Sequence, residues 1–590
     1  MTLIIGLPLA SLSAAADPYQ PVRALLVGVA AVLVALAVGN LQLPGGTLGR
    51  IAFVGLAVAV VGTVVAAAAG GLPSAVFGVH GRFQGLVSGL SALVALGVGL
   101  LSGGRVRYLA RALAIALVIQ CAVVLYQAVS GDLPTGTMGN QVLAGAWIAV
   151  AASMVAAASR SERGVARGLV LATVALAGIT LGVAGSRGAW VGLAVGLAAV
   201  GAVGISWKQA AAVGAGLALL VAGALVAGGE AADKLDPSGL SSGSARTRAL
   251  IWQGTVSMIA DDPVLGIGPG RYLYEFPAYQ PAEHAALERG VRPDQAHSIV
   301  LHVAAESGIP AAIGAVAFIG AALIAAVRRS WERDAAALVA LGGLAAWSGQ
   351  AMFGISTIET DALAFACAGV ALARLGAMRA SASAKPPRKS ADAGAAGAVA
   401  ARRGDSNASS SDVPASWVRP ALGAAGLVLA VAAGWYLIAD AAHLRGVEAF
   451  YAGDMATAWS EGNRAVEKNP LVDLYRIGAA DAALYRAGSS AEALALVEEG
   501  MRLEPDSYDL AAERARLLAS AGATSDDVFD ASRDALALYP LGIDASHVAI
   551  QAAFDAGEPA VAAEFAARML EVYPDDAFAA SALEGATDGS

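Results

Sequence analysis

The sequence predicts an all-α protein: a polytopic helical membrane body of about 12–13 spanning helices, followed by an α-solenoid. Three observations carry this. The chain is 57% hydrophobic and only 14% charged over 590 residues, where a soluble protein carries roughly a quarter charged residues. Apolar runs of spanning length recur through the first 440 residues. The remainder is acidic and punctuated by proline at a fixed interval. This composition excludes a soluble enzyme, a disordered scaffold and a nucleic-acid binder.

A helix needs about 20 apolar residues to cross a bilayer, since no backbone group can stay unpaired in hydrocarbon. Such runs lie at 22–40, 49–70, 84–102, 107–129, 142–158, 165–184, 188–204, 208–228, 298–327, 335–353, 357–377 and 419–440. The apolar stretch Leu3 to Ala16 precedes them without a basic leader, and is expected to be a first span rather than a cleaved signal. With the N-terminus cytoplasmic, Arg50, then Arg105, Arg107 and Arg111, then Arg160, Arg163 and Arg167, then Lys208, then Arg328, Arg329 and Arg333 fall in inner turns. That alternation obeys the positive-inside rule. It divides the chain into a membrane domain over 1–378, a flexible basic cytoplasmic linker over 379–418, a further span at 419–440 and a tail over 441–590.

The segment 229–296 and the tail then face outward, and all six histidines (His80, His284, His297, His302, His443 and His547) fall on or near that outer face. Cys121 and Cys367 both sit within apolar runs, so disulfides and cysteine-based zinc sites have no support.

The halves differ in charge: 28 Lys+Arg against 21 Asp+Glu over 1–440, and 10 against 26 over 441–590. In the tail Pro470, Pro505, Pro540 and Pro574 stand 35, 35 and 34 residues apart, each after an amphipathic stretch. A proline-closed helix pair of about 34 residues buries its apolar face only by stacking on its neighbours. The tail therefore resembles the tetratricopeptide repeat family over about 445–585. Such a solenoid implies a protein partner, and its negative charge favours basic ones.

Arginines on outer segments run against the positive-inside bias, and each needs a reason. Arg187 stands in the tight turn Gly185-Ser186-Arg187-Gly188; taken alone it is equally well a side chain snorkelling to headgroups. Arg246 and Arg248 open an amphipathic helix that continues through Trp252, Val256 and Ile259. The turn Gly266-Ile267-Gly268-Pro269-Gly270-Arg271 lacks the preceding strand of a nucleotide-binding loop. His297, in Asp294-Gln295-Ala296-His297-Ser298, lies nine residues from Glu306, on the opposite side of an ideal helix, so the two form no simple dyad.

In combination, the Gly-Ser-Arg-Gly-Ala-Trp turn, the loop with Arg-x-x-x-Trp and Gly-Ile-Gly-Pro-Gly-Arg-Tyr, and Ala-His-Ser followed by Glu-Ser-Gly-Ile-Pro resemble the O-antigen ligase and polymerase family over roughly 1–378. Gly81-Arg82-Phe83-Gln84-Gly85 and Gly136-Thr137-Met138-Gly139-Asn140 agree with it; Ser298 and Gln141 depart from its usual Asn and Pro.

The resemblance implies a metal-independent, cofactor-free membrane glycosyltransferase of the GT-C type. It would move a glycan from a polyprenyl-pyrophosphate carrier to a glycan, lipid or protein acceptor at the outer face of the cytoplasmic membrane. Arg187 and Arg248 are expected to clamp the diphosphate, with Arg246 the alternative to Arg248. His297 would serve the acceptor hydroxyl, while Arg82 and Glu306 would complete the substrate site. Ligase, polymerase and protein O-oligosaccharyltransferase activities all share these motifs. A lipid-linked sugar transporter and a non-catalytic anchor are the competing classes.

Overall fold

The computed structural model describes residues 6–37, 41–42, 46–101, 106–203, 244–373, 414–415, 417–487 and 490–588. The membrane body is built from α1 (Gln20–Ala37), α2 (Gly46–Gly70), α3 (Leu86–Leu101), α4 (Val106–Val129), α5 (Gln141–Ala158), α6 (Gly164–Ala184) and α7 (Arg187–Ala202). After the loop helix α8 (Ser244–Asp261) come α9 (Ile299–Trp331), α10 (Ala335–Ala351), α11 (Ile358–Leu372) and α12 (Val418–Tyr451). Seven described helices are long and apolar enough to cross a membrane, and α3, α7 and α10 are shorter apolar ones. The expected span at 208–228 and the linker over 379–413 lie outside the described residues. The described strands are a two-residue antiparallel bridge, Leu41 opposite Ala415 and Gln42 opposite Pro414.

Small residues let these helices approach closely. A methyl group added to Gly55 on α2 would lie 2.6 Å from the Gly314 carbonyl oxygen on α9, and one added to Gly28 on α1 would lie 2.5 Å from that of Gly426 on α12. Lipid tails are as apolar as leucine, so such backbone contact supplies the packing between spanning helices. Helix α5 sits at the centre, nearly all of it buried.

One expectation needs correcting. The described part of the stretch from Leu3 to Ala16 forms only a 3-10 turn, Leu7–Leu9, and then irregular turns. Pro8 and the following Asp17-Pro18 interrupt it, and 14 helical residues would reach only about 21 Å across a core of about 30 Å. The segment folds instead onto the body: the Asp17 amide donates to Asp440 Oδ2 at 2.6 Å, and Thr137 Oγ1 donates to the Pro8 carbonyl. Residues 6–19 therefore lie on the same face as the end of α12, where the repeats begin, and not on the opposite side as a cytoplasmic N-terminus requires.

The repeats grow directly out of α12, whose last turns pass beyond the apolar span and pack on α13 (Met455–Lys468). The series continues as α14 (Asp473–Ala487), α15 (Ser490–Leu503), α16 (Tyr508–Ser520), α17 (Ser525–Leu538), α18 (Ile543–Asp555), α19 (Pro559–Val572) and α20 (Ala577–Asp588). Each helix packs on the next. The helices ending at Lys468, Leu503, Leu538 and Val572 are each followed two residues later by one of the spaced prolines, which cannot continue a helix.

Candidate active site

Three segments converge on the repeat-bearing face. The turn between α6 and α7 places Arg187 at the first helical position after the extended cap Ser186. Helix α8 brings Arg248, and the loop before α9 brings Asp294 and His297. Arg248 is driven below the usual guanidinium pKa, first by burial and then by the Arg187 cation beside it. Nη1 of Arg187 and Nδ1 of His297 are buried without a hydrogen-bond partner among the described residues. Arg187, at the N-terminus of α7 with an unsatisfied buried donor, lies within electrostatic reach of Arg248 on α8, an arrangement able to attract an anion.

His297 is pushed down to about 4, mainly by burial and next by the Arg248 cation, with Asp294 opposing. It is therefore neutral at ordinary pH. Its backbone has φ +49°, a left-handed conformation costly for a residue with a side chain. Two contacts hold it there. Trp252, one turn beyond Arg248, donates from Nε1 to the Ala296 carbonyl at 2.9 Å. Asp294 forms an ion pair with Arg82, whose neighbour Phe83 also has positive φ.

Glu306 is held by local contacts. It is buried one helical stretch into α9 and accepts the Gly270 amide at 2.9 Å, with His302 Nε2 at 3.4 Å. Its carboxylate is spent on the glycine-rich turn, next to the break at Gly308, where φ is +82° and Pro310 follows. Arg246 points away from the cluster: exposed to solvent, it pairs with Glu283, Nε to Oε1 at 2.7 Å. The structure thus brings together Arg187, Arg248, His297 and, through Asp294, Arg82. It leaves Arg246 and Glu306 in supporting positions.

The sequence reading missed several groups. Arg23 and Glu359 form a fully buried pair at 3.0 Å, with Gln20 against the same carboxylate, at the repeat-side ends of α1 and α11. A hydropathy window absorbs single charges at span ends, so only their position at the rim marked them. Arg271 and Arg292 were open to the same positive-inside argument that singled out Arg187.

With this geometry in place, the comparison with known families is direct. Residues 171–316 match the O-antigen ligase family model. The matched stretch holds Arg187, Arg246, Arg248, His297 and Glu306; Arg82 lies before it. The chain is thus a multi-spanning membrane protein by its apolar helices, and over residues 171–316 it is similar to the O-antigen ligase family. Among solved structures, a crystal structure of a thermophilic TPR protein from Thermus thermophilus is 20% identical, covering 28% of this chain and 93% of its own, with a TM-score of 0.23. The search of curated proteins gives no match.

Proposed function

We propose that this O-antigen ligase-like protein transfers a glycan from a polyprenyl diphosphate to an acceptor hydroxyl at the outer face of the cytoplasmic membrane. The observation that carries the reading is the Arg187–Arg248 pair: two cations within electrostatic reach of each other, one with a buried unpartnered donor, and Arg248 in turn within reach of a neutral imidazole.

In this reaction the acceptor oxygen bonds to the anomeric carbon as the bond from that carbon to the diphosphate oxygen breaks. The leaving diphosphate keeps the electron pair, and its growing charge falls between the guanidinium groups, whose planar donors bind phosphate oxygens bidentately. The hydroxyl proton passes to His297, which is neutral and free to accept it. Two features support the outward orientation. Helix α9 starts beside His297 and ends at Arg328 and Arg329, and Arg160 and Arg163 lie at the far ends of α5 and α6 from Asn140 and Arg187.

The same chemistry serves a ligase, a polymerase and a protein O-oligosaccharyltransferase, and the acceptor decides between them. The test is transfer by the purified full-length protein in vesicles, from a polyprenyl-diphosphate-linked glycan, to lipid, glycan and protein acceptors in parallel. Product on any acceptor supports the reading and names the subtype. Translocation of the donor without any transfer supports a transporter instead.

A further inference from the structure

The inner helices of the repeats turn toward the loop over 266–296 and bind it along its length. At one end Arg271, almost fully buried, places Nη1 2.6 Å from Glu504 Oε1 and Nη2 2.8 Å from Glu275, with Asp506 also paired to it. Glu504 accepts the Ser74 amide at 3.2 Å as well, so a second loop of the body joins the same carboxylate. At the other end Arg292 pairs with Asp509 at 2.6 Å and lies over the Tyr508 ring at 5.0 Å. Between them Tyr274 donates to Asp473 at 3.0 Å, and Ala285 shares an apolar cluster with Ile550, Ala553 and Met569.

A cleft of about 610 Å³ remains between loop and repeats, with His80, Tyr274, Asp473, Tyr508, Asp509 and Glu513 among its walls. Its carboxylates are largely committed to this chain: Asp473 to Tyr274 and Ser507, Asp509 to Arg292, and Glu513 to Arg516. The inner face that a free solenoid would offer to a separate protein is thus bonded to the chain's own loop.

Each anchored position adjoins the candidate site. Arg271 follows Gly270, which Glu306 holds, and precedes Tyr272, whose hydroxyl bonds Thr255 at 2.6 Å on the helix that carries Arg248. Arg292 lies two residues before Asp294 and five before the strained His297. A conformation of that cost persists only where its surroundings over-determine it. We propose that the repeats act as an intramolecular clamp on this loop, with Arg271 and Arg292 as the positioning residues through which they hold Arg248 and His297 in register. The proposal rests on the transfer reaction described above and sets the repeats' role as geometry, in place of acceptor recruitment.

The experiment uses the full-length protein in vesicles with Arg292→Asp, Asp509→Arg, the double variant that exchanges the two charges, and Glu504→Gln. Two readouts are taken: kcat and KM for donor and acceptor, and amide hydrogen exchange over 266–297. The clamp predicts that each single change lowers kcat by about tenfold or more, because a small displacement of a reacting group is costly. Acceptor KM stays within about twofold, and loop exchange accelerates. Exchanging both charges restores kcat to within about threefold and returns loop protection. If a reversed charge prevents folding, Glu504→Gln, which keeps the side-chain shape, and the exchanged pair carry the test.

A raised acceptor KM at unchanged kcat would overturn the clamp in favour of recruitment. Unchanged kcat and unchanged exchange in every variant would overturn it in favour of an inert tail. Hydrogen exchange needs no substrate, so a wild type that transfers nothing refutes the transfer reading, while protection lost in the single variants and regained in the double still supports the clamp.

Discussion

Trp252 donates its indole hydrogen to the carbonyl of Ala296 at 2.9 Å, tying the helix turn that presents Arg248 to the residue before His297. Arg248 and Trp252 are four residues apart on one face of α8, so the cation and the imidazole are set by a single rigid helix. Trp252→Phe keeps an aromatic ring, smaller than the indole, and removes the donor. A neutral hydrogen bond is worth about 1 kcal/mol and an orphaned carbonyl somewhat more, so kcat is expected to fall about tenfold with the protein still inserted. An unchanged kcat in steady-state transfer would show that the bond does not position His297.

The pH profile reports on the environment of His297. Its pKa lies near 4 instead of 6.5, through burial and the Arg248 cation. The acid limb of kcat/KM, which reads the free enzyme, is therefore expected near pH 4. Bound diphosphate neutralises the arginines, so the limb of kcat should lie higher. The same shift affects stability. Below pH 6.5 the unfolded chain binds the proton that the folded protein refuses, so His297's contribution is whole above 6.5 and is lost as pH falls to about 4. A free-enzyme limb at 6.5 that vanishes in His297→Gln would contradict the buried, cation-flanked imidazole.

Arg246 was an alternative to Arg248 in the sequence, and the structure separates them. Arg246 is exposed and paired with Glu283, outside the cluster. Solvent screens an exposed ion pair and leaves it little net worth, so Arg246→Ala should transfer within about twofold of the wild type. A loss as large as that of Arg248→Ala would move the diphosphate site outward along α8.

The buried Arg23–Glu359 pair gives a prediction about stability. Removing one partner leaves an uncompensated charge, which costs about 3–5 kcal/mol, while replacing both with apolar side chains is often neutral. Arg23→Ala should therefore lower the Tm of the detergent-solubilised protein far more than the double change Arg23→Met with Glu359→Leu. Equal losses would mean that the pair is valued for its polar contacts, Gln20 at Glu359 and the Thr137 carbonyl at Arg23.

Much of this architecture was legible because it follows from period and composition. Helices of spanning length declare themselves by apolar runs, and the repeats by prolines at 470, 505, 540 and 574. Arg187, Arg246 and Arg248 stood out because arginines on outer segments run against the positive-inside rule, and His297 was singled out only through the family resemblance. What stayed hidden is long-range. Nothing local says that Glu504 meets Arg271 across 233 positions, or that Asp17 meets Asp440 across 423. The stretch after Leu3 misled because hydropathy counts apolar residues without asking whether Pro8 and Asp17-Pro18 leave a helix long enough to cross.

The most direct test of the account is single-turnover transfer by Arg187→Ala and Arg248→Ala, each compared with the wild type and with Arg246→Ala. Loss of a fixed donor to a developing charge typically costs about 10²–10³ in rate, and that loss is predicted for both variants, with normal membrane insertion and a near-normal Arg246→Ala control. Near-wild-type turnover in both Arg187→Ala and Arg248→Ala would contradict the assignment of this arginine pair as the diphosphate site.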